Sequence, residues 1–325
     1  MLNFNFTNSI NYFFDKKTIL HTSPHPDDVT LGYLPYINWL LKNTRNKHNF
    51  LIMTSGSNAV RNSYLENILE KIKYNLLNNE NNNFLEKKVI NNLVDNIDNS
   101  KSILLTKIEE LLENLKQNNV NAELEFLKGI IREAEEESVW NNFKISNKNV
   151  IAFRANFYRS KTEELSQDIN NFYKFLLNIN PDIITVAIDP KNSAPLTHYK
   201  TFKVIQNAVK LFSENLKKDL IIIGYRNVWC QFLPQEANIF FPVTNQDFDL
   251  LKKTFINCYK TQVDAMYPSS KYSGNFADIA VEIMKNNLIN FNNKFSNKIN
   301  YENIHGLCFL KQMNIKEFIN LSLDY

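Results

Sequence analysis

Five apolar runs, each closing on polar or aromatic residues, set the rhythm of the chain. They are "KTILHTS" (17–23), "NFLIMTSGS" (49–57), "VIAFRANF" (150–157), "DIITVAID" (182–189) and "DLIIIGYRNVW" (219–229). Short and rich in β-branched and aromatic residues, they read as buried strands. Amphipathic helical patterns lie between them. Leu31 to Leu41 follows the first run, Glu163 to Leu177 precedes the fourth, and His198 to Leu216 precedes the fifth. This alternation predicts an α/β fold with a mostly parallel, Rossmann-like sheet and helices on both faces.

Residues 58–128 interrupt the rhythm. Ile68, Ile72, Leu76 and Leu77, then Ile103, Leu104, Ile108, Leu111, Leu112 and Leu115, recur at helical spacing. They predict one or two helical hairpins, rich in asparagine, inserted after the second strand and flanking or capping whatever lies at its end. From about residue 245 the chain reads as mainly helical again, with loop signals at "YPSSKYSGNF" (267–276). No internal repeat is evident.

In open α/β sheets, ligands sit outside the carboxyl ends of the strands. Conspicuous polar residues fall there: "SPHPDD" after the first strand, "TSGS" after the second, "DPKNSAPLTH" after the fourth, and "GYRNVW" at the end of the fifth. Composition narrows the choice of partner. With 37 basic against 34 acidic residues the net charge is only +3, and the charges are interspersed, so nothing marks a nucleic-acid surface. The first residues lack the basic and apolar regions of a signal peptide. No run reaches the roughly 18 apolar residues of a membrane span. Cys230, Cys258 and Cys308 are too few and too scattered for a disulfide framework. These features predict a soluble, cytoplasmic protein.

The chemistry concentrates in "HPDD". A catalytic zinc keeps three ligands drawn from His, Asp, Glu and Cys, plus a water. His25 and Asp28, three residues apart just past a strand, can chelate one ion if the chain turns there, and Pro26 can set that turn. Asp27 then points beside the metal, able to take a proton from the water bound there. His198, in a loop opening a helix after another strand, can complete the set. The same string also fits a helix N-cap, with Asp27 or Asp28 satisfying free N–H groups ahead of "VTLGYLPYINWLL". His21 lies about 13 Å back along an extended strand from His25. It and His48 read as structural, and His305 has no assigned part.

These segments resemble a known family. "SPHPDDVTLG" resembles the "HPDDE" signature of the PIG-L/LmbE-like zinc deacetylases, and "PDIITVAIDPKNSAPLTHYKTF" looks like their second motif. "IREAEEESVW" is similar to the family's Arg-x-x-Glu helix, here Arg132 and Glu135. "TSGSNAV", "FRANFY" and "YPSSKYSGNF" look like the branch found as a deacetylase-like C-terminal domain of glucosamine-6-phosphate deaminase-related proteins. The resemblance spans about 17–290 and implies one deacetylase domain over 1–325, with the insertion inside it. It implies His25, Asp28 and His198 as Zn²⁺ ligands and Asp27 as general base. The expected activity is removal of an N-acetyl group from an N-acetylglucosamine-type sugar or sugar phosphate, with a deaminase-like protein as a further partner.

Two positions depart from the family pattern. Val29 stands where a glutamate usually follows the aspartates, and Pro195 stands where a second-motif histidine acts as acid or oxyanion stabiliser. Proline can do neither, so a catalytically weakened metal- or sugar-binding regulatory protein is the alternative expectation. Arg226, at a strand end, either grips a sugar phosphate or pairs with a helix carboxylate. Tyr199, His305 or Arg226 can assist where Pro195 does not. Ser55, with Thr54 and Ser57, can meet ligand hydroxyls or form a plain loop. Arg132 reads as paired internally with the glutamates around it, and Trp229 as a core ring able to stack on a sugar.

Overall fold

The computed structural model describes residues 14–93, 100–216, 218–265, 274–295 and 302–324. Among these residues, seven strands form one sheet in the order β3-β2-β1-β4-β5-β7-β6. The five runs expected from the sequence are its parallel part: β1 (Thr18–Ser23), β2 (Lys47–Ile52), β3 (Val150–Ala152), β4 (Ile183–Ala187) and β5 (Ile221–Tyr225). The second and third strands end sooner than their apolar runs suggest. Thr54–Gly56 leave the sheet as a loop, and Asn156–Arg159 form a single helical turn.

Two strands that the apolar runs do not announce lie in the C-terminal part. β6 (Ile239–Val243) and β7 (Gly306–Met313) join the sheet, with β7 antiparallel to both β5 and β6. The helices expected there are present as α8 (Asn245–Cys258) and α9 (Phe276–Lys294), with a short α10 (Ile315–Ile319) at the end. Of the loop expected over 267–276, residues 267–273 lie outside the described residues, and Asn275 caps α9 by accepting the Asp278 N–H.

Helices cover both faces of the parallel strands, so successive strand residues are buried alternately on each side and read as continuous apolar runs. On one face Ile19, Phe50, Ile183 and Ile223 meet Ile37 and Leu40 of α1 (Asp28–Asn43) and Phe255 of α8. On the other, Leu20, Leu51, Ile184 and Ile222 meet Phe172 of α6 (Ser166–Ile179) and Phe212 of α7 (Leu196–Leu216). The insertion forms α2 (Asn62–Asn78), α3 (Phe84–Ile90), α4 (Lys101–Lys116) and the first turns of α5 (Ala122–Asn142), which continues beyond it, around an apolar cluster that includes Ile72, Ile108, Leu111 and Leu127. No described helix is long and apolar enough to cross a membrane.

The chain runs outward from β1 through β2 to β3 on one side, and from β4 to β5 on the other. Strand order therefore reverses between the neighbours β1 and β4, opening a crevice at their carboxyl ends. Both halves of the expected metal site leave the sheet at this point.

Behind the crevice, His21 and His48 are structural. His21 Nδ1 meets the Tyr33 hydroxyl at 3.0 Å, and that hydroxyl donates to Thr185 Oγ1 at 2.6 Å. His21 Nδ1 is then the donor, which leaves its Nε2 to accept from His48 Nδ1 at 3.0 Å. His48 Nε2, buried without a hydrogen-bond partner among the described residues, is a bare lone pair. Protonating it would create an unsatisfied buried donor, and burial pushes the His48 pKa down from 6.5 to about 4. A base whose pKa is depressed by folding contributes stability above its unfolded pKa and loses it as pH falls towards the folded one. The difference is worth about 3 kcal/mol, lost between roughly pH 6.5 and 4. His48→Gln is accordingly expected to flatten the fall in melting temperature between pH 7 and pH 4.5. An unchanged slope would contradict this assignment.

Candidate metal centre

The loop between β1 and α1 is pinned before any ligand is considered. The Thr54 N–H and hydroxyl both donate to the Pro24 carbonyl, at 3.0 and 2.7 Å. The Ser23 hydroxyl donates to the His25 carbonyl. Asp27 occupies the residue before α1 yet makes no side-chain cap, so its carboxylate is not spent on the helix. Its φ of 95° lies in the left-handed region, where a non-glycine backbone costs about 1–3 kcal/mol and persists only if its surroundings hold it. The N-cap reading fails at Asp27 for that reason. Asp28 does not cap either: its Oδ2 accepts the His25 N–H at 2.8 Å, closing the turn backwards.

That turn brings three donor atoms together. Asp28 Oδ2 lies 3.5 Å from His25 Nδ1 and 3.5 Å from His198 Nε2, and the ligand atoms of the three residues all fall within 4.8 Å of one another. Two ligands about 2.0–2.1 Å from a tetrahedral zinc stand about 3.3 Å apart, so the spacing suits one small cation. Each ligand is oriented from behind. Asn227 Nδ2 donates to Asp28 Oδ1 at 2.6 Å, Thr197 Oγ1 meets His25 Nε2 at 2.8 Å, and Asp189 Oδ2 holds His198 Nδ1 at 2.9 Å. Carboxylates behind ligand histidines of this kind fix the tautomer and increase basicity.

The fit to a metal shows in one atom. His198 Nε2 is buried, faces Asp28, and has no hydrogen-bond partner among the described residues. Burial disfavours charge on His198, but Asp28 and Asp189 outweigh it and raise its pKa. Asp28 mirrors this: burial pushes against its charge, and His198 and His25 hold it below the usual carboxylate range. His25 is shifted down, chiefly by burial. The carboxylates of Asp28 and Asp189 thus favour positive charge at His198.

Asp27 stands beside these donors rather than among them. Its Oδ2 accepts from Arg132 Nη2 at 2.7 Å, while no hydrogen bond among the described residues engages Oδ1. Arg132, buried in α5, also donates to the Pro26 carbonyl and to Glu135 Oε2, both at 2.7 Å. Burial is the main cause that lifts the Asp27 pKa to about 7; Arg132 pulls it back, and Asp28 and Glu136 add to the rise. Arg132→Met removes the guanidinium and leaves the Asp27 and Glu135 carboxylates buried without it. A loss of about 3–5 kcal/mol in unfolding free energy is expected by denaturant titration. A loss under about 1 kcal/mol would mean the pairs are not formed.

The remaining candidates lie apart from this cluster. Arg226 is buried over the Phe232 ring and bonded to Glu236, Gln231 and the Ile188 carbonyl, which is the carboxylate pairing rather than an open anion grip. Its neighbour Asn227 is the residue of "GYRNVW" that reaches the centre. The Tyr199 hydroxyl donates to Asp324 at 2.6 Å. Ser55 faces Gly129 of α5, where a Cβ would come within 3.0 Å of its own Cβ, and it lines a cavity described below. Pro195 carries the carbonyl that accepts the His198 N–H at 2.9 Å, and Val29 is a core residue. Trp229 stands edge-on to His198, with ring centroids 6.5 Å apart. Asp189, Thr197 and Asn227 all sit in strand-end segments, but no local pattern in the sequence marks them as supports of the centre.

The sequence matches no protein-family model and no curated protein. Several solved structures are similar to it. N,N'-diacetylchitobiose deacetylase from Pyrococcus horikoshii is 12% identical with a TM-score of 0.49, covering 97% of this chain and 89% of its own. The zinc-inhibited form of teicoplanin deacetylase Orf2 is 9% identical with a TM-score of 0.44, covering 91% and 97%. GalB, the 4-carboxy-2-hydroxymuconate hydratase from Pseudomonas putida KT2440, is 9% identical with a TM-score of 0.47, covering 91% and 96%.

Proposed function

We propose that the chain is a metal-dependent N-deacetylase that removes the acetyl group of an N-acetylated amino sugar. One observation carries this reading: the buried, unpartnered Nε2 of His198, converging with His25 Nδ1 on Asp28 Oδ2, with the Asp27 carboxylate alongside. His25, Asp28 and His198 would hold the ion, with Zn²⁺ best suited to a His₂Asp set that leaves a position open. When bound, such an ion lowers the pKa of a coordinated water and polarises an acyl oxygen. Asp27 accepts the proton of the attacking water through its unengaged oxygen. Arg132 keeps that carboxylate aimed at the crevice. The departing amine takes a proton back from Asp27, since Pro195 offers none.

The resemblance noted in the sequence supports the same residues in the same parts, and it supports an N-acetylglucosamine-type substrate. Val29 and Pro195 favour a second reading, a metal- or sugar-binding regulatory protein with little turnover. Amine release from N-acetylated sugars by the zinc-loaded protein separates the two. Turnover that disappears on chelation is the expected result. Retained zinc with no turnover on any acetylated sugar would support the second reading.

A further inference from the structure

A cavity of about 860 Å³ lies beside the ligand cluster. The loop after β2 lines it through Ser55 and Ser57, α5 through Phe126, Gly129 and Glu133, and the stretch after β3 from Arg154 to Lys161. It adjoins the centre at two points. A Cβ on Gly56, between those two serines, would come 3.8 Å from the His25 Cβ. Tyr158 of the lining has its ring edge-on to the His25 imidazole, with centroids 6.5 Å apart. A substrate whose acyl group reaches the ligand cluster has this space beside it for the rest of the molecule.

Hydroxyl and amide groups of Ser57, Asn58, Asn121 and Asn156 suit a hydroxylated molecule better than a hydrocarbon chain. The charges are more specific. Glu125 is matched by Lys128 at 2.8 Å, and Glu133 is held by Arg154 through two hydrogen bonds of 2.8 Å each. Arg159 and Lys161 have no ion-pair partner among the described residues, and the nearby Glu163 is taken by Lys200 at 2.7 Å. Their turn is firmly built. The buried Asp168 accepts the Asn156 and Phe157 N–H groups at 2.6 and 2.8 Å, and Lys161 has a left-handed φ of 52°.

We propose that the cavity binds the body of an N-acetylated sugar that carries an anionic group, and that Arg159 and Lys161 grip that group. The assignment of the acyl end rests on the deacetylase reading, whereas the preference for an anion does not. A phosphate and a carboxylate share this chemistry, because either accepts charge-assisted hydrogen bonds from both side chains.

The test is calorimetric binding to the full-length, zinc-loaded protein, using N-acetylglucosamine, its 6-phosphate and its uronate. The anionic sugars are expected to bind about ten- to a hundredfold more tightly than the neutral one at low salt. That preference should shrink at high salt, because both cations stand at an exposed rim. In the double variant Arg159→Gln/Lys161→Gln it should fall to about twofold or less, with a melting temperature close to the parent's, since both residues are exposed. A preference for the phosphate alone, or for both anions, identifies which source the site takes. Equal affinity for neutral and anionic sugars, no binding of any of the three, or a preference that survives the double substitution would overturn the proposal. Anion preference without amine release would sink the deacetylase reading alone, and amine release without anion preference would sink this proposal alone.

Discussion

Asparagine in place of Asp27 is expected to leave zinc bound and to slow acetamide hydrolysis by about 10²–10⁴-fold. Zinc stays because the Asp27 carboxylate is not among the three residues whose donor atoms converge. Hydrolysis falls because an amide keeps the shape and the Arg132 contact but cannot take a proton. In the metal-free protein, burial raises the Asp27 carboxyl to about 7 against the pull of Arg132. If Asp27 serves both transfers, as proposed above, the loss lies at the upper end of the range. Asp28→Asn should do the reverse and weaken metal binding itself, by removing the anionic donor between the two histidines. Helix caps would behave differently, since asparagine caps about as well as aspartate. Zinc content and amine-release rate measured on both variants decide the matter, and unchanged values in both would contradict the assignment.

His198→Ala is expected to lose most of the bound zinc and, with it, all turnover above background. The substitution removes the donor atom that is buried without a partner, and two ligands remain where an open catalytic site needs three. Asp189→Asn probes the same atom from behind. The Asp189 Oδ2 contact to His198 Nδ1 at 2.9 Å fixes which nitrogen faces the cluster, and loss of such a contact weakens affinity by about 10–100-fold. Competition against a chelator of known affinity measures both effects. An alanine variant that retained zinc as tightly as the parent would remove His198 from the ligand set.

Much of this was legible in the chain, for a reason particular to parallel sheets. Ile183, Ile184, Ile222 and Ile223 are buried on opposite faces, so the strands appear as unbroken apolar runs, and their polar ends mark the crevice. His25, Asp28 and His198, whose donor atoms converge, sit in the segments that follow those ends. What escaped depends on long-range placement. Arg132 reaches Asp27 across 105 positions, and no local pattern announces that contact. Arg226 and Asn227 follow the same strand, and only the packing of Arg226 against Glu236 and Phe232 decides which one turns towards Asp28. The left-handed backbone of Asp27 is likewise a product of the closed turn around it. β7 is not announced because "GLCFLKQM" is broken by Lys311 and Gln312 and stands alone between helical stretches.

The most direct measurement is a calorimetric titration of Zn²⁺ into the metal-free protein, followed by elemental analysis after desalting. If His25, Asp28 and His198 form one centre, about one zinc binds per chain. Absence of saturable binding, with no divalent metal retained after reconstitution, would contradict the account at its root.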